Sequence, residues 1–593
     1  MRLNFIQSII SFFLGLIICG LFYTQIIHGG YYHRQSMNNR IRVVPADGPR
    51  GRILDRNGVI VADNRIVFHV GVVPQDVENK NALFGYLGQM LNKDPDFLER
   101  QFQRKEITSF APVILVQDIS RELAVKIEEE KFIYPGLIIQ QGYERYYPFS
   151  EAGAHVLGYV GKIDEDEIED NQQYGYTPLS FVGKTGVEKR YDVFLQGEPG
   201  GRQIEVDAQG RQVRLLGLKD PIAGNDVVLT IDQRVQNAAQ ELLRGHRGGI
   251  VVMDLTNGDV MSLVSSPSYD PNVFSDKSKN ENIRFYFNDP STPLFNRSVS
   301  GQYPPGSVFK IPLALAAIQL HKITPATTYD CPGYMMVGQR RFGCSHVHGV
   351  QDLEAALVHS CNVYFFHVGQ LVTPPLIGAF AKAFGLNRRT GIDLPFEAKG
   401  NIVTKAPVGG SWYTGDVLNL SIGQGYTLTT PLQLTVMMAA VANDGVIVRP
   451  RVVKEVGGEE IPVMDFFKRP LIRLRDQTWA LVQKGLKGVV DDPQGTGHDL
   501  KEVPGLDIYG KTGTAQSIHG KPNHSWFVGY TGSSKGPHGP HARHSQELGR
   551  HARHSQELAS IAFCVFLEYG GSSENSVRIA RDLLLKLQSL QII

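Results

Sequence analysis

Ser307-Val-Phe-Lys310 sets a hydroxyl and an amine three residues apart. Tyr303-Pro-Pro-Gly306 breaks the chain just before it, and the apolar run after Ser307 reads as a buried helix. Ser307 would stand at the helix N-terminus, with Lys310 one turn on and on the same face. A serine hydroxyl is a poor nucleophile until a base takes its proton. A desolvated lysine near the positive end of a helix can lose its own proton near neutral pH and act as that base. Alone, the pair also fits a capped helix with a surface lysine. Two further groups follow. Ser360-Cys361-Asn362 precedes a helix-like run at 363–370, and Lys511-Thr512-Gly513-Thr514 follows the strand-like 506–510.

Three of the five cysteines gather with a histidine. Cys331, Cys344, His348 and Cys361 give C-x12-C-x3-H-x12-C, ending inside the Ser360–Asn362 group. Three cysteines and one histidine match a closed structural zinc set. A metal there would tether the loop that carries Ser360 and Asn362. His346 is an alternative ligand. A Cys331–Cys344 disulfide, suited to an oxidising compartment, and free buried thiols are the other readings. Cys19 lies in an apolar N-terminal run, and Cys564 in an apolar strand reads as core.

These residues need elements to hold them. A boundary falls near Gly224-Asn225. Beyond it a strand at 226–230 leads into an amphipathic helix at 232–243. Residues 249–254 and 259–264 flank Asn257-Gly258, a dipeptide that fits a type I′ turn, so they read as a hairpin. From about Ser307 the pattern is mainly helical. Strands return at 506–510, 525–530 and 560–566, and residues 576–590 close on a helical pattern. Strands first and last with helices between predict one α/β sheet domain. Residues 31–224 read as a strand-rich α+β module, with strands at 40–44 and 59–62, a hairpin of 203–207 with 211–215, and a helix at 120–129. His541-Ala-Arg-His-Ser-Gln-Glu-Leu548 recurs unchanged at 551–558. It reads as a tandem duplication in a polar loop, 534–559, rather than as a histidine-rich metal site.

Phe5 to Ile27 carries no charge and is long enough to span a bilayer. Arg2 before it favours an N-terminus in the cytoplasm, with the rest of the chain outside. A cleaved signal peptide is the rival. No A-x-A site follows, and the run exceeds a usual signal core, so an uncleaved anchor is expected. The expected organisation is a cytoplasmic stub (1–4), an anchor (5–27), a pedestal (28–224) and a catalytic domain (225–593). Lys plus Arg is 60 against 59 for Asp plus Glu, a net charge of +1, which excludes the basic footprint of a nucleic-acid binder. Five cysteines in 593 residues exclude a disulfide-dense scaffold.

Ser307-x-x-Lys310, then Ser360-x-Asn362, then Lys511-Thr512-Gly513 resembles, in that order, the motif set of penicillin-binding proteins and serine β-lactamases. Arg50–Gly58, Tyr31-Tyr32, Asn296-Arg297, Gly423-Gln-Gly, Thr430-Pro-Leu-Gln433 and Trp526-Phe-Val-Gly-Tyr530 are similar to class B penicillin-binding proteins. Gly183–Tyr191 and the cysteine insert resemble their elongation-specific branch. Gly183-Lys184-Thr185-Gly186 repeats part of the third motif, but it precedes the serine and is set aside. The duplicated His-Arg loop has no place in the family pattern.

The resemblance implies a C-terminal penicillin-binding, serine β-lactamase-like transpeptidase domain on a pedestal of the dimerisation type. Ser307 would attack a D-Ala-D-Ala stem peptide, and an amine of a neighbouring strand would take the acyl group. Lys310 would deprotonate Ser307, Ser360 would relay a proton to the leaving amine, and Asn362 would hold the donor peptide. Lys511 would supply positive potential. Thr512 and Thr514, flanking Gly513, would hold the terminal carboxylate, and the N–H groups of Ser307 and Thr514 would bind the oxyanion. β-Lactams would trap Ser307. No cofactor is required for this chemistry; the zinc set would be structural. No paired-carboxylate block precedes Gly224, so a monofunctional enzyme is expected. The implied partners are a SEDS-type glycan polymerase and other elongation-complex membrane proteins, at the bacterial inner membrane. The alternatives are a D,D-carboxypeptidase or β-lactamase-type hydrolase, and a catalytically silent β-lactam sensor or scaffold. The anchor and the large N-terminal module argue against a β-lactamase, the single span against a sensor, and the three intact motifs against a dead site.

Overall fold

This computed structural model describes residues 2–32, 41–46, 48–106, 112–170, 176, 180–206, 212–275, 280–406, 410–462, 473–517, 520–532 and 560–593. The duplication at 541–558 lies outside them. The chain divides into two compact units. One comprises Met1–Gly51, Asn64–Arg145 and Gln196–Asn225; the other comprises Arg52–Asp63, Tyr146–Leu195 and Asp226–Ile593.

In the first unit a helix, Arg2–Phe22, continues into a π turn, Tyr23–Ile27. Ile9–Ile27 has a mean hydropathy of 2.1 and none of it is buried, so by length and composition it can cross a membrane. The Thr24 hydroxyl donates back to Gly20 O (3.0 Å), which hides it from lipid. Strand Ile41–Ala46 pairs antiparallel with Gly200–Val206, which pairs with Gln212–Lys219. The hairpin read from 203–215 is therefore present, with a third strand added to its edge.

Farther along, residues 68–72 pair with 113–119 over helices Lys80–Leu91 and Pro95–Lys105, which bury Phe84 and Phe102 edge to face. The sequence reading missed both helices. Their start signals are present: Asn79 Oδ1 accepts from Ala82 N–H (3.1 Å), and Asp94 caps a helix whose first residue is Pro95. The first lacks a strong polar/apolar alternation, which is the periodicity on which such readings depend. The expected helix at 120–129 is Arg121–Glu130, capped by Ser120.

The second unit contains α1 (Gln233–Leu242), β1 (Gly248–Asp254), β2 (Val260–Ser266), α2 (Lys310–Gln319), α3 (Leu353–Val358), α4 (Asn362–Leu371), α5 (Pro431–Ala442), α6 (Asp476–Asp491), β3 (Asp507–Ala515), β4 (His524–Gly532), β5 (Ile561–Leu567) and α7 (Ser573–Ser589). The strands form one antiparallel sheet in the order β2-β1-β5-β4-β3, which leaves β3 at an edge. Successive residues alternate between two cores. Ile250, Val252, Phe563 and Val565 join α1 and α7 on one face. Val251, Met253, Cys564 and Phe566 join α2 and α5 on the other. Burial on both faces explains why these strands read as continuous apolar runs.

The β1–β2 connection differs from expectation. A type I′ turn needs positive φ at both central residues. Here only Gly258 of the loop has one (79°). Asp254 Oδ1 accepts from Thr256 N–H (2.7 Å) and Asn257 Oδ1 from Asp259 N–H (2.8 Å). These side-chain turns, rather than a type I′ turn, set the path of the loop at 255–259.

Asp55, from the Arg50–Gly58 motif, is fully buried. It accepts from the N–H groups of Asn57 (2.8 Å), Val59 (2.9 Å) and Gln233 (3.1 Å), which ties the motif to the start of α1.

Candidate active site

Ser307 sits in a 3₁₀ turn, Gly306–Phe309, that runs directly into α2. The helix is apolar all round and buried, so Lys310 is held with no exposed surface. Pro312 falls in the first turn, where a missing N–H costs little. Burial pulls the Lys310 ammonium down to about 8. Its Nζ donates to Ser360 O (2.8 Å) and Asn362 Oδ1 (2.7 Å), with Ser360 Oγ at 3.4 Å. The hydrogen bonds of this amine thus go to the second motif rather than to Ser307.

Local sequence puts that motif there. Asp352 caps α3 by accepting from Ala355 N–H (2.8 Å). Ser360 then takes a left-handed backbone (φ 55°), uncommon for a residue with a side chain. The helix therefore stops abruptly, with the Ser360 carbonyl on Lys310. Cys361 caps α4, its sulfur accepting from Tyr364 N–H (3.5 Å). Asn362 is the first residue of α4, and its Nδ2 donates to Gly343 O (3.2 Å).

The third motif lies on edge strand β3. A Cβ on Gly513 would fall 2.9 Å from Pro305 O, and one on Gly306 (φ 56°) 2.6 Å from Thr514 O. Only glycines let the Ser307 turn and β3 approach this closely. Lys511 is fully buried, and burial first, then the charge of Lys310, pushes its pKa well below the usual lysine range. Thr514 is exposed at the strand edge. The fold therefore brings the turn of Ser307 together with Lys310, Ser360, Asn362, Lys511, Thr512, Gly513 and Thr514.

Beside them, one ligand atom from each of Cys331, Cys344, His348 and Cys361 lies within 4.8 Å of the others. Two small hairpin-like sheets frame the cluster: Tyr329–Cys331 with Gly349–Gln351, and Tyr334–Val337 with Arg340–Gly343. The reading of this stretch as mainly helical missed them, because each strand has only three or four residues. His348 Nδ1 is 3.5 Å from both Cys331 Sγ and Cys344 Sγ. Tetrahedral zinc bonds of about 2.3 Å to sulfur and about 2.0–2.1 Å to nitrogen separate those two atom types by about 3.5 Å. The residues thus fit the ion. His348, not His346, is the histidine of this cluster. The three cysteines are free thiols here. The Cys361 thiol and the Asn362 N–H (3.1 Å) both favour the thiolate form of Cys344, which lowers its pKa.

Residues 248–550 match the family model of the penicillin-binding protein transpeptidase domain, and residues 45–229 that of the penicillin-binding protein dimerisation domain. The peptidoglycan D,D-transpeptidase MrdA of Escherichia coli K12 is 32% identical over 531 residues, 86% of this chain and 83% of the relative. The chain belongs to the penicillin-binding protein family. Among solved structures, the penicillin-binding protein PBP2 of Helicobacter pylori in complex with MreC matches with a TM-score of 0.77 and 25% identity, over 93% of this chain and 99% of that one. A chain of a peptidoglycan synthase complex that couples polymerisation and crosslinking matches with a TM-score of 0.71 and 26% identity, over 99% and 98%. This chain is a penicillin-binding protein of the PBP2 (MrdA) type.

Two residues of this penicillin-binding protein escaped the sequence reading as parts of the site. Thr496 Oγ1 lies 2.7 Å from Thr512 Oγ1 and fixes the orientation of that hydroxyl. Its signal was Gly495-Thr-Gly497, a turn between α6 and β3. Trp526, singled out by resemblance alone, donates from Nε1 to Pro304 O (3.0 Å) and braces the chain ahead of Ser307.

Proposed function

We propose that Ser307 is the nucleophile of a peptidoglycan D,D-transpeptidase that cross-links stem peptides during cell-wall elongation. The observation that carries this is Lys310: a fully buried amine, pulled down to about 8, bonded to the second motif and one turn from the serine. In its neutral form Lys310 takes the Ser307 proton as Oγ attacks the penultimate D-Ala carbonyl of the donor. The C–N bond to the terminal D-Ala breaks, and Ser360, next to Lys310, passes a proton to that leaving amine. The amine of a second stem peptide then attacks the ester and returns Ser307 to its hydroxyl. Asn362 holds the donor peptide. The N–H groups of Ser307 and Thr514 face the oxyanion, each such donor being worth about 2.7–4 kcal/mol.

Edge strand β3 supports this reading, because it leaves one side free to pair with an extended peptide. Thr512 and Thr514 bind the donor's terminal carboxylate. Lys511, whose ammonium burial disfavours, gains in that carboxylate the counter-charge it lacks. β-Lactams present the same carbonyl and carboxylate and stay on Ser307 as a stable ester. No cofactor enters these steps.

The Cys331, Cys344, His348 and Cys361 set holds a structural Zn²⁺, which fixes Asn362 through its neighbours Cys361 and Cys344. The chain is organised as a stub (1–4) in the cytoplasm, an anchor (5–27), a pedestal (28–224) and a catalytic domain (225–593) outside the bacterial inner membrane. The solved PBP2–MreC and synthase complexes support an MreC-type partner and a SEDS-type glycan polymerase for this chain.

The test is covalent labelling with fluorescent penicillin. Wild type should label stably, and Ser307→Ala should lose all label while remaining folded. Labelling retained by Ser307→Ala overturns the assignment of the nucleophile, and rapid loss of label from wild type makes the protein a hydrolase.

A further inference from the structure

A second cavity, of about 260 Å³, opens in the same unit away from the three motifs. Three aromatic rings, Tyr269, Phe295 and Phe396, line it with Leu294, Leu394 and Pro395. Phe396 is 64% exposed and Phe295 41%, so both present ring surface to solvent. The Ser300 hydroxyl donates to Phe396 O (2.8 Å), which fixes that loop.

The polar part of the wall is uncharged. Among the described residues no Asp, Glu, Lys or Arg lines it. His155 is buried and pulled down to about 4, so it is neutral at pH 7. Its Nε2 carries the proton that pairs with Pro293 O (2.8 Å), which makes Nδ1 an acceptor. Asn296 spends its oxygen on the N–H groups of Ser298 (3.1 Å) and Val299 (3.2 Å), which leaves its NH₂ as a donor. The Thr185 hydroxyl lies beside the Tyr269 phenol but makes no hydrogen bond of good geometry. The neighbouring Tyr269 phenol donates instead to Ala154 O (3.1 Å).

A wall of this kind selects against two ligand classes. An anionic peptide terminus finds no charged group in the wall, and the nearest cations, Lys189 over Phe396 and Arg297 over Phe295, are already paired with Glu167 and Glu568. An acyl chain leaves Thr185, His155 and Asn296 unsatisfied, and unpaired buried polar groups are costly. A sugar ring meets both demands, with an apolar face for the aromatic rings and hydroxyls along its edge. An acetamido group adds one carbonyl acceptor and one N–H donor, the complement of Asn296 and His155. The volume is below that of a drug-sized site and suits a small ring.

We infer that this cavity is a subsite for an N-acetylhexosamine of the glycan strand whose stem peptide reaches Ser307. This rests on the transpeptidase reading above and extends it from the peptide to the sugar backbone of the substrate.

The experiment titrates chitotetraose, a neutral N-acetylglucosamine oligomer, into the full chain in detergent and follows binding by saturation-transfer NMR. Fluorescent penicillin labelling of the same preparation is measured in parallel. Wild type should bind saturably, with transfer strongest at the acetyl methyl. Phe396→Ala should weaken binding about tenfold, the effect of removing one ring face. Thr185→Val, which keeps the side-chain shape, should weaken it less but measurably. No saturable binding up to about 10 mM overturns the subsite. Equal binding by Phe396→Ala overturns it as well, and displacement by laurate reassigns the cavity to an acyl chain. Because penicillin labelling is scored separately, a labelled protein that ignores chitotetraose loses the subsite alone, whereas an unlabelled one loses the transpeptidase reading.

Discussion

Lys-Thr-Gly occurs twice in this chain, and the two copies have opposite fates. Lys184 keeps about a sixth of its side chain exposed and bonds Asp164 (2.8 Å) and Glu167 (2.6 Å). Burial alone would lower its pKa, but the two carboxylates outweigh burial and raise it. Lys511 is fully buried, with no hydrogen bond to a carboxylate among the described residues and with Lys310 as a like-charged neighbour, and its ammonium is strongly disfavoured. The same tripeptide is a satisfied ion-pair site in one place and a site short of negative charge in the other. A buried cation without its anion is costly to maintain, so such a position is a candidate for function, where the missing anion arrives as ligand.

This contrast can be broken experimentally. The largest effect should come from Lys310→Met, which removes the base and should slow penicillin acylation about 10²–10⁴-fold, read by stopped-flow labelling. Lys511→Met should cost about 10²–10³-fold, because the ligand's carboxylate loses its electrostatic partner. If Lys511→Met acylates at the wild-type rate, the contrast between the two lysines means nothing for catalysis.

The pH profile sharpens the comparison further. If neutral Lys310 is the active form, as proposed, burial lowers its pKa to about 8 and acylation should rise about tenfold from pH 6 to pH 7, bend near pH 8 and be level by about pH 9. A lysine at its ordinary value would keep climbing past pH 10. Cys361→Ser should release zinc, measured by atomic emission against one ion per wild-type chain, and should lower the melting temperature by about 2–4 °C per kcal/mol lost. The smallest effect belongs to Lys184→Ala. It removes a partly exposed ion pair worth about 1 kcal/mol or less and should leave penicillin labelling within about twofold of wild type.

The candidate site residues were legible because their chemistry is local in type and ordered in sequence: a serine before a lysine at one-turn spacing, then two short polar groups. The strands of the sheet were legible for a related reason. Burial on both faces leaves uninterrupted apolar runs such as 561–567. What stayed hidden depends on contacts between distant segments. Nothing near Lys310 in sequence says that its amine bonds Ser360 and Asn362, fifty residues away, rather than Ser307. The turn type of the β1–β2 loop was misread because Asp254 and Asn257 use their side chains on the backbone, which a dipeptide rule does not weigh. Helix 80–91 went unseen because the face opposite its apolar stripe carries Ala82 and Gly85 rather than charges, which leaves little contrast between the two sides.

The outermost position of β3 has a consequence for inhibition. A ligand that lies along this strand is read by main-chain donors and acceptors, which no missense change except one to proline can delete. Variants that escape such a ligand must then reposition the rail, through residues such as Trp526 or Thr496 that hold its surroundings, and in doing so they also displace the native peptide. Drug evasion and wall synthesis compete for one geometry here, and a compound that relies chiefly on the strand backbone would keep that conflict acute.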